Sequence, residues 1–355
     1  MPLTRRARYL TNAALVLLGV AVGLALAEAA VRVLDPHARD QAMPGGFFAM
    51  DTALGWRQLP DHTVTHRTPY FATTYTTNAL GHRDREHGSA PPPGSRRVVV
   101  FGDSQIFGWG IPIGRRFTDL LQARSPALEV WNAAVMGYGF DQELLAYERS
   151  SGPWRPDIVV LFISPYTLER TKSGYLYRKY KPRFLLHGAD SLEVVPPART
   201  ATTVTDLAYR LLSGWYLPYF VDRRLGPALT RLRTGRPPAT ATEIRAAQGR
   251  PPSPLTAALL ARAGAVARSR GQRLILLADL PAAAVEGMRR IGRERGFEVV
   301  SMDLPQDRSA MVLGPRDGHW NEGVHERIAG LLGRALGPET VRGAADPESK
   351  ALRGK

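Results

Sequence analysis

The chain has 355 residues, of which 44% are hydrophobic and 22% charged, and this balance excludes an intrinsically disordered chain. Its length allows one large domain with attachments, or two domains. The absence of cysteine excludes disulfides and thiolate metal sites. The formal net charge of +15 comes from arginines spread along the chain, without a basic motif interleaved with aromatic residues. We interpret this charge as a compositional bias, with affinity for anionic lipid headgroups or acidic polysaccharide as the alternative, and we expect no nucleic-acid partner.

An uncharged apolar segment, residues 10–27, follows several arginines near the N-terminus. At about 1.5 Å rise per residue, it is just long enough to span a bilayer as a helix. Basic residues before the segment predict a cytoplasmic N-terminus, with the rest of the chain periplasmic or extracellular. A cleavable signal peptide is the alternative. The helical pattern continues through Glu28 and Arg32 without a break, which favours an uncleaved transmembrane anchor over residues 1–34.

Residues 35–95 are predicted to form a lead-in segment with short strands, including residues 55–57 and 73–77, and a proline-rich linker at its end. The segment contains His62, His66, His82 and His87, whose spacing matches no metal site. We interpret these histidines as solvated loop residues. The sequence predicts neither a metal nor a cofactor.

Five apolar strands alternate with helices between residues 96 and 336. The strands are predicted at residues 98–101, 128–135, 156–163, 272–278 and 297–302, and the helices at 117–123, 140–150, 255–269, 282–295 and 322–336. This alternation predicts an α/β fold, a three-layer α/β/α sandwich around a five-stranded parallel sheet.

An insertion at about residues 171–254 interrupts this alternation with Tyr- and Trp-containing pieces and a Pro/Arg-rich stretch. It is interpreted as a cover or lid over the active face, with a mobile loop as the alternative. Residues 337–355 are predicted to be a polar, frayed tail.

Polar residues that carry chemistry follow the first strand and precede the last helix. Ser104 lies in the turn after the first strand, at the sheet edge where open α/β folds bind ligands. Asp317 and His319 lie on a predicted loop that returns to the same edge. A serine, a histidine and a carboxylate are the three groups of a hydrolytic triad. The backbone N–H groups of Ser104 and Gly137, both after strands, are candidate donors to the oxyanion.

Two acidic residues, Asp141 and Glu143, begin the helix predicted after Gly139. Residues two apart on a helix point to different faces, so we interpret them as helix-start charges and not as a catalytic pair. His325, on the last helix, is interpreted as a surface or packing residue.

Three sequence blocks resemble the GDSL/SGNH hydrolases, in which they occur in the same order. They are Gly102-Asp103-Ser104, residues 132–137, and Asp317-Gly318-His319. The resemblance covers about residues 96–336 without the insertion, and residues 56–85 look like the lead-in of membrane-anchored members. It implies an SGNH-hydrolase, flavodoxin-like fold. It also implies Ser104 as the nucleophile, His319 as the base, Asp317 as the partner that orients it, and Gly137 as an oxyanion donor.

The sequence departs from the family pattern at two places. The family places Gly-Asn-Asp after the third strand, and its Asn donates to the oxyanion. Here Tyr166 is nearest to the Asn position, so Tyr166 or Ser164 is the candidate third donor. Only Gly318 separates Asp317 from His319, whereas the family more often has two residues there. This shorter motif is similar to that of the alginate O-acetylation proteins.

Three functions remain open from the sequence. The leading hypothesis is a membrane-anchored extracytoplasmic serine esterase that hydrolyses carboxylic esters, O-acetyl esters foremost, through an acyl-enzyme. The second is an O-acetyltransferase that modifies a cell-envelope or secreted polysaccharide, with a membrane acyltransferase as its partner. The third, motivated by the missing Asn, is a catalytically silent glycan-binding module.

Overall fold

The computed structural model describes residues 5–40, 42–177, 179–188, 191–198, 214–235, 239–240, 243–244, 251–305 and 307–337. The chain divides into two compact units, Met1–Gly46 with Thr202–Pro237, and Phe47–Ala201 with Pro238–Lys355. The predicted insertion therefore contributes to both units. About a third of its Pro/Arg-rich stretch, residues 236–238, 241–242 and 245–250, lies outside the described residues, as does the predicted tail beyond Gly337.

The secondary structure of the described residues alternates between strands and helices over most of the second unit. The helices are α1 (Arg5–Leu34), α2 (Ser104–Phe107), α3 (Phe117–Arg124), α4 (Phe140–Trp154), α5 (Pro165–Arg170), α6 (Leu217–Thr234), α7 (Pro254–Ser269), α8 (Ala282–Arg295) and α9 (Glu322–Leu336). The strands are β1 (Phe48–Asp51), β2 (Gly55–Gln58), β3 (Thr63–Arg67), β4 (Ala72–Thr76), β5 (Arg96–Phe101), β6 (Leu128–Asn132), β7 (Ile158–Ile163), β8 (Tyr175–Leu176), β9 (Lys179–Tyr180), β10 (Arg183–His187), β11 (Ser191–Val195), β12 (Arg273–Ala278), β13 (Glu298–Ser301), β14 (Val312–Gly314) and β15 (Asp317–Trp320).

A five-stranded parallel sheet in the order β13-β12-β7-β5-β6 forms the centre of the second unit. Numbered along the chain, this order is 2-1-3-4-5, the flavodoxin-like arrangement of doubly wound folds. All six residues of β7 are buried, as expected for a central strand with both faces covered. The predicted three-layer α/β/α fold is confirmed.

The helices that cover the sheet fall into two groups. Alternate residues of β5, Val99 and Phe101, belong to a buried cluster with Leu144 of α4, Leu259 of α7 and Val285 of α8. Helices α3 and α9 pack against each other and contact β6 and β13 respectively, and their buried residues lie outside that cluster. Because helices cover the sheet in this way, the ends of its strands are held in fixed positions.

The segment that was predicted to be a loop before the last helix is instead the strand β15. It pairs antiparallel with β14, with Val312 opposite Trp320 and Gly314 opposite Asp317. The prediction was wrong because Asp and Gly are poor strand formers, and the pairing with β14 overrides this local preference.

The lead-in strands form two hairpins, β1–β2 and β3–β4, within the same unit as the sheet. The interpretation of the lead-in histidines as solvated was wrong for three of them. His66 is 3% exposed and its Nδ1 lies 3.0 Å from the Tyr75 hydroxyl. The side chain of His87 is buried between two carboxylates, and burial lowers the pKa of His82 to about 4. No group of three or more side chains suited to hold a metal occurs in the described ranges.

The first unit contains α1 packed against α6. By its length and composition α1 is able to cross a membrane, a property that it shares with signal sequences. Its large apolar side chains are mostly exposed in the isolated chain.

Candidate active site

Ser104 occupies the first position of α2, immediately beyond the carboxyl end of β5. The preceding Gly102 is required sterically, because a Cβ there would lie 2.2 Å from Cγ1 of Ile106. Asp103 is the N-cap of α2, and its Oδ1 accepts a hydrogen bond from the Gln105 N–H (2.9 Å). Since Asp103 performs the capping, the hydroxyl of Ser104 is left for another partner.

That partner is His319. Its Nε2 lies 2.9 Å from Oγ of Ser104, and its Nδ1 lies 2.6 Å from Oδ1 of Asp317. Successive side chains of a strand point to opposite faces, so Asp317 and His319 share one face of β15 while Gly318 is exposed on the other. The spacing with a single intervening residue is therefore compatible with a hydrogen-bonded triad, because this segment is extended.

Two further side chains fix this arrangement. The indole N–H of Trp109 donates to Oδ2 of Asp317 (3.0 Å), and its ring stacks on the ring of His319 at 4.5 Å between centroids. Gln105 bonds to the backbone of β15 at two points: its Nε2 donates to the Gly318 carbonyl, and its Oε1 accepts from the Trp320 N–H. Helix α2 and its neighbouring loop thus hold Asp317 and His319 in place.

Asp317 is fully buried and carries a charge. Burial alone would raise its pKa, but hydrogen bonds from His319 and Trp109, with the charge of His319, lower the pKa below its ordinary value. The carboxylate is therefore ionised at neutral pH and accepts a hydrogen bond from Nδ1–H of His319. This tautomer leaves Nε2 as an acceptor for the hydroxyl proton of Ser104.

The backbone N–H groups of Ser104 and Gly137 are the two predicted oxyanion donors. Within the described residues, neither the N–H of Ser104 nor that of Gly137 donates a hydrogen bond to the protein. Gly137 has φ of 82°, a left-handed conformation that favours glycine. A Cβ there would lie 2.9 Å from the ring of Tyr177, so Tyr177 lies directly against this backbone.

The two candidates for a third oxyanion donor are placed differently. Ser164 is the N-cap of α5, where its Oγ accepts the Thr167 N–H (3.2 Å) while Thr167 Oγ1 accepts the Ser164 N–H (2.9 Å). The Tyr166 side chain is 42% exposed. In the described structure neither side chain is hydrogen bonded to Ser104 or Gly137.

A buried charge network lies beside the Ser104 turn. Arg170 donates from Nη1 to Oδ2 of Asp103 (2.6 Å) and to the Tyr138 carbonyl (3.0 Å). Asp141 forms an ion pair with Lys181, and both side chains are fully buried. Glu143 is equally buried, and burial together with the nearby charge of Asp103 raises its pKa well above the ordinary value.

Sequence reasoning missed most of these supporting residues. Asp141 and Glu143 do lie in the first turn of α4, but they are buried and not surface charges. Arg170 and Lys181 meet partners 67 and 40 residues away, which no local pattern indicates. Trp109 was missed as well, although its place between two glycines directly after the Ser104 turn is a signal that could have indicated it.

A cleft of about 470 Å³ borders the site without containing it. It is lined by residues that include Phe71, Gly110 and Asn321, the last two adjacent in sequence to Trp109 and Trp320. Ser104 and His319 do not line it.

No protein-family model matches the sequence, and no curated protein matches it. Among solved structures the chain is similar to TesA, with a TM-score of 0.38 and 14% identity over 69% of this chain and 99% of that one. It is similar to a lipolytic protein of the G-D-S-L family from Veillonella parvula, with a TM-score of 0.37 and 12% identity over 67% and 96% of the two chains.

A third similar structure is a catalytic mutant of Axe2, an acetylxylan esterase from Geobacillus stearothermophilus. Its TM-score is 0.38, with 13% identity over 70% of this chain and 98% of that one. The G-D-S-L family represented here is the one that the sequence blocks resemble. Similarities of this size carry no argument about activity, which has to come from the geometry of the chain itself.

Proposed function

We propose that this protein is a serine esterase of the GDSL/SGNH type that cleaves carboxylic esters through an acyl-enzyme. The observation that carries the proposal is the hydrogen-bonded series Ser104–His319–Asp317 at the carboxyl edge of the parallel sheet. A binding module has no need of a buried carboxylate that fixes the tautomer of a histidine facing a serine, so this geometry favours catalysis over the silent alternative.

In the first half-reaction, Oγ of Ser104 attacks the ester carbonyl carbon while Nε2 of His319 takes its proton. The oxyanion that forms accepts hydrogen bonds from the N–H groups of Ser104 and Gly137. The imidazolium then gives its proton to the alcohol oxygen as the carbon–oxygen bond breaks. The alcohol leaves, and Ser104 carries the acyl group. Asp317 remains ionised throughout and stabilises the imidazolium.

In the second half-reaction, Nε2 of His319 takes a proton from water as its oxygen attacks the acyl carbon. Collapse of the tetrahedral intermediate breaks the bond to Oγ, which recovers its proton from His319. The products are a carboxylic acid and free enzyme. A sugar hydroxyl in place of water would give acyl transfer, so the same residues serve the O-acetyltransferase alternative.

The donors of the oxyanion hole distinguish this site from the family pattern. Ser104 and Gly137 supply two donors, and the Oγ of Ser164 accepts the Thr167 N–H at the start of α5, which holds that side chain at the helix cap. Loss of one donor typically lowers turnover about 10²–10³-fold. We therefore expect a slow esterase with activated esters as its best substrates.

We further propose that α1 anchors the enzyme in the cytoplasmic membrane with the sheet unit outside. Support comes from the length and apolar composition of α1 and from the arginines at its start. Among natural esters, we expect the substrate to be an O-acetyl ester of a glycan, an expectation that follows from the sequence resemblance alone.

The test is covalent labelling of the full-length chain in detergent with a fluorophosphonate, read by intact mass. The parent protein is expected to gain one label, and Ser104→Ala and His319→Ala none. Ser164→Ala, which changes the other serine at a strand end, serves as the matched control and is expected to be labelled like the parent. Labelling of Ser104→Ala, or none in a folded parent, would overturn the proposal.

Labelled enzyme does not distinguish hydrolysis from transfer, so a second measurement follows. The parent is incubated with p-nitrophenyl acetate with and without oligosaccharide acceptors, and the products are weighed by mass spectrometry. Free acetate as the main product in both reactions supports the esterase. Acetylated sugar as the main product would replace it by the transferase.

A further inference from the structure

Helix α6 is fastened to the end of α1 by a carboxylate. Glu28, the first charged residue after the uncharged segment 10–27, is 7% exposed. Its oxygens accept the N–H groups of Tyr216 and Leu217 at 2.8–2.9 Å. Tyr216 and Leu217 begin α6, whose first N–H groups have no partner within the helix. The start of α6 is therefore held at the level where the apolar segment of α1 ends.

Further contacts join α6 to the residues that follow α1. Arg223 of α6 forms an ion pair with Asp35, which follows α1, and Arg39 donates to the Gly214 carbonyl (2.9 Å). Arg39 also lies over the ring of Tyr216. These contacts fix the direction of α6 relative to the end of α1.

One side of α6 is apolar and exposed. Val221, Leu225, Leu229 and Leu232 follow one another at intervals of four, four and three residues, which places them on one face of a helix. Their exposed fractions are 40%, 54%, 46% and 82%. Residues that face α1, such as Tyr219, are less exposed and belong to a different side. We name these four residues the apolar stripe.

Positive charges lie along one side of this apolar stripe. Arg224 and Arg231 lie beside it, and neither forms an ion pair within the described residues. A helix with an apolar face, arginines on its polar side and a fixed position at the end of a membrane-spanning helix has the features of an interfacial helix.

We propose that α6 lies in the headgroup region of the bilayer beside α1. Its apolar stripe faces the acyl chains, and Arg224 and Arg231 contact anionic lipid headgroups. The inference rests on the proposed anchoring role of α1 and extends it to a second membrane contact.

The natural absence of cysteine allows a direct test with single introduced cysteines in the full-length chain. Leu229→Cys in the apolar stripe and Arg231→Cys beside it are spin-labelled, and the protein is reconstituted in vesicles of phosphatidylcholine with phosphatidylglycerol. The measurement is the accessibility of each label to oxygen, which enters the bilayer, and to a nickel chelate, which remains in water.

The label at position 229 is expected to show an oxygen-to-nickel accessibility ratio about threefold higher than the label at 231. High nickel accessibility at both positions would overturn the proposal. Low accessibility of position 229 to both reagents would also overturn it, since another part of the chain or a second copy would then cover the apolar stripe.

Two controls separate failure of this inference from failure of the proposed function. A label at Val16→Cys, in the middle of α1, reports whether α1 lies in the bilayer. Fluorophosphonate labelling of the same samples reports whether Ser104 is reactive. In the double variant Arg224→Gln and Arg231→Gln, we expect the accessibility ratio at position 229 to become equal in anionic and in pure phosphatidylcholine vesicles. If the ratio at position 229 still depended on anionic lipid in this variant, Arg224 and Arg231 would not be the residues that contact the headgroups.

Discussion

The ends of strands β5 and β7 look alike in sequence but differ in chemistry. Each strand is buried and is followed by a serine at the start of a short helix. After β5, Asp103 caps the helix and Ser104 stands one position later, hydrogen bonded to His319. After β7, Ser164 is itself the cap and binds Thr167. Of these two serines, the one that faces a histidine is therefore the one next to a separate capping residue.

The two histidines of the C-terminal segment repeat this contrast. His319 is partly exposed and faces Ser104. His325, six residues later, is 1% exposed, and its Nδ1 accepts the Phe117 N–H (3.2 Å). Burial, together with the charges of Arg116 and Arg83, lowers the pKa of His325 to about 3. One histidine is poised to exchange a proton and the other is kept neutral.

The largest expected effect comes from Asp317→Asn. This change removes the carboxylate that orients His319, and the interaction with His319 is what distinguishes Ser104 from Ser164. Asn presents no carboxylate to Nδ1–H of His319, so the tautomer that faces Ser104 is lost and turnover of p-nitrophenyl acetate falls about 10⁴-fold. The variant should retain its circular dichroism spectrum. A loss below tenfold would mean that Asp317 does not orient the base.

The histidine pair predicts how stability depends on pH. A histidine of the unfolded chain titrates near pH 6.5, whereas His325 stays neutral in the folded protein. Between pH 7 and pH 5 the unfolded state therefore binds more protons, and the free energy of unfolding decreases as the pH falls. This one group contributes about 2 kcal/mol over that interval.

The change is measured by urea unfolding of the parent and of His325→Asn at both pH values. The variant should lose about 2 kcal/mol less than the parent. Glu143, whose pKa burial raises, acts in the opposite direction in both proteins and cancels in the difference. Equal losses for the two proteins would contradict the assignment of His325.

Trp109→Phe sharpens the comparison at the active strand end, because it keeps a ring beside His319 and removes the N–H bonded to Asp317. Turnover should fall about tenfold, since a hydrogen bond to a charged group contributes about 1.5–3 kcal/mol. Trp131→Phe, in a buried tryptophan that stacks on His87, is the control and should leave turnover unchanged. Similar losses of turnover in both variants would mean that Trp109 acts only through packing.

The smallest effect is expected from Ser164→Ala. Removal of an N-cap hydroxyl lowers the free energy of unfolding by about 1 kcal/mol, and turnover should remain that of the parent. Ser104→Ala should show the reverse, with turnover lost and stability nearly unchanged. If Ser164→Ala instead lowered turnover about 10²–10³-fold, Ser164 would be an oxyanion donor and the contrast between the two strand ends would fail.

The sheet could be predicted because each strand is a nearly continuous apolar run between turn residues, a pattern set by burial on both faces. Ser104, Asp317 and His319 could be expected at one edge because the segment before the last helix returns to the edge at which the first strand ends. The β14–β15 hairpin could not be predicted, since Asp317-Gly318 has little strand preference of its own and depends on its partner strand.

The supporting polar residues escaped prediction for a related reason. Asp141 is a helix-start charge by local pattern, and its ion pair with Lys181, together with the Gln142 N–H that it accepts, makes its burial tolerable. Likewise, the capping of α5 by Ser164 and the contact of Tyr177 with Gly137 depend on the folded chain. Local sequence thus indicated which side chains could react. Contacts between residues far apart in sequence decided which of these side chains have a structural role instead.

The separation of the triad along the chain has a consequence for the order of events during folding. Ser104 and His319 are 215 residues apart, and Trp109 and Asp317 are 208 apart. Closing so long a loop costs conformational entropy before any contact compensates for it, so these contacts form late. A nascent or truncated chain would hold the serine without its base. The triad is therefore complete only once the C-terminal hairpin has docked.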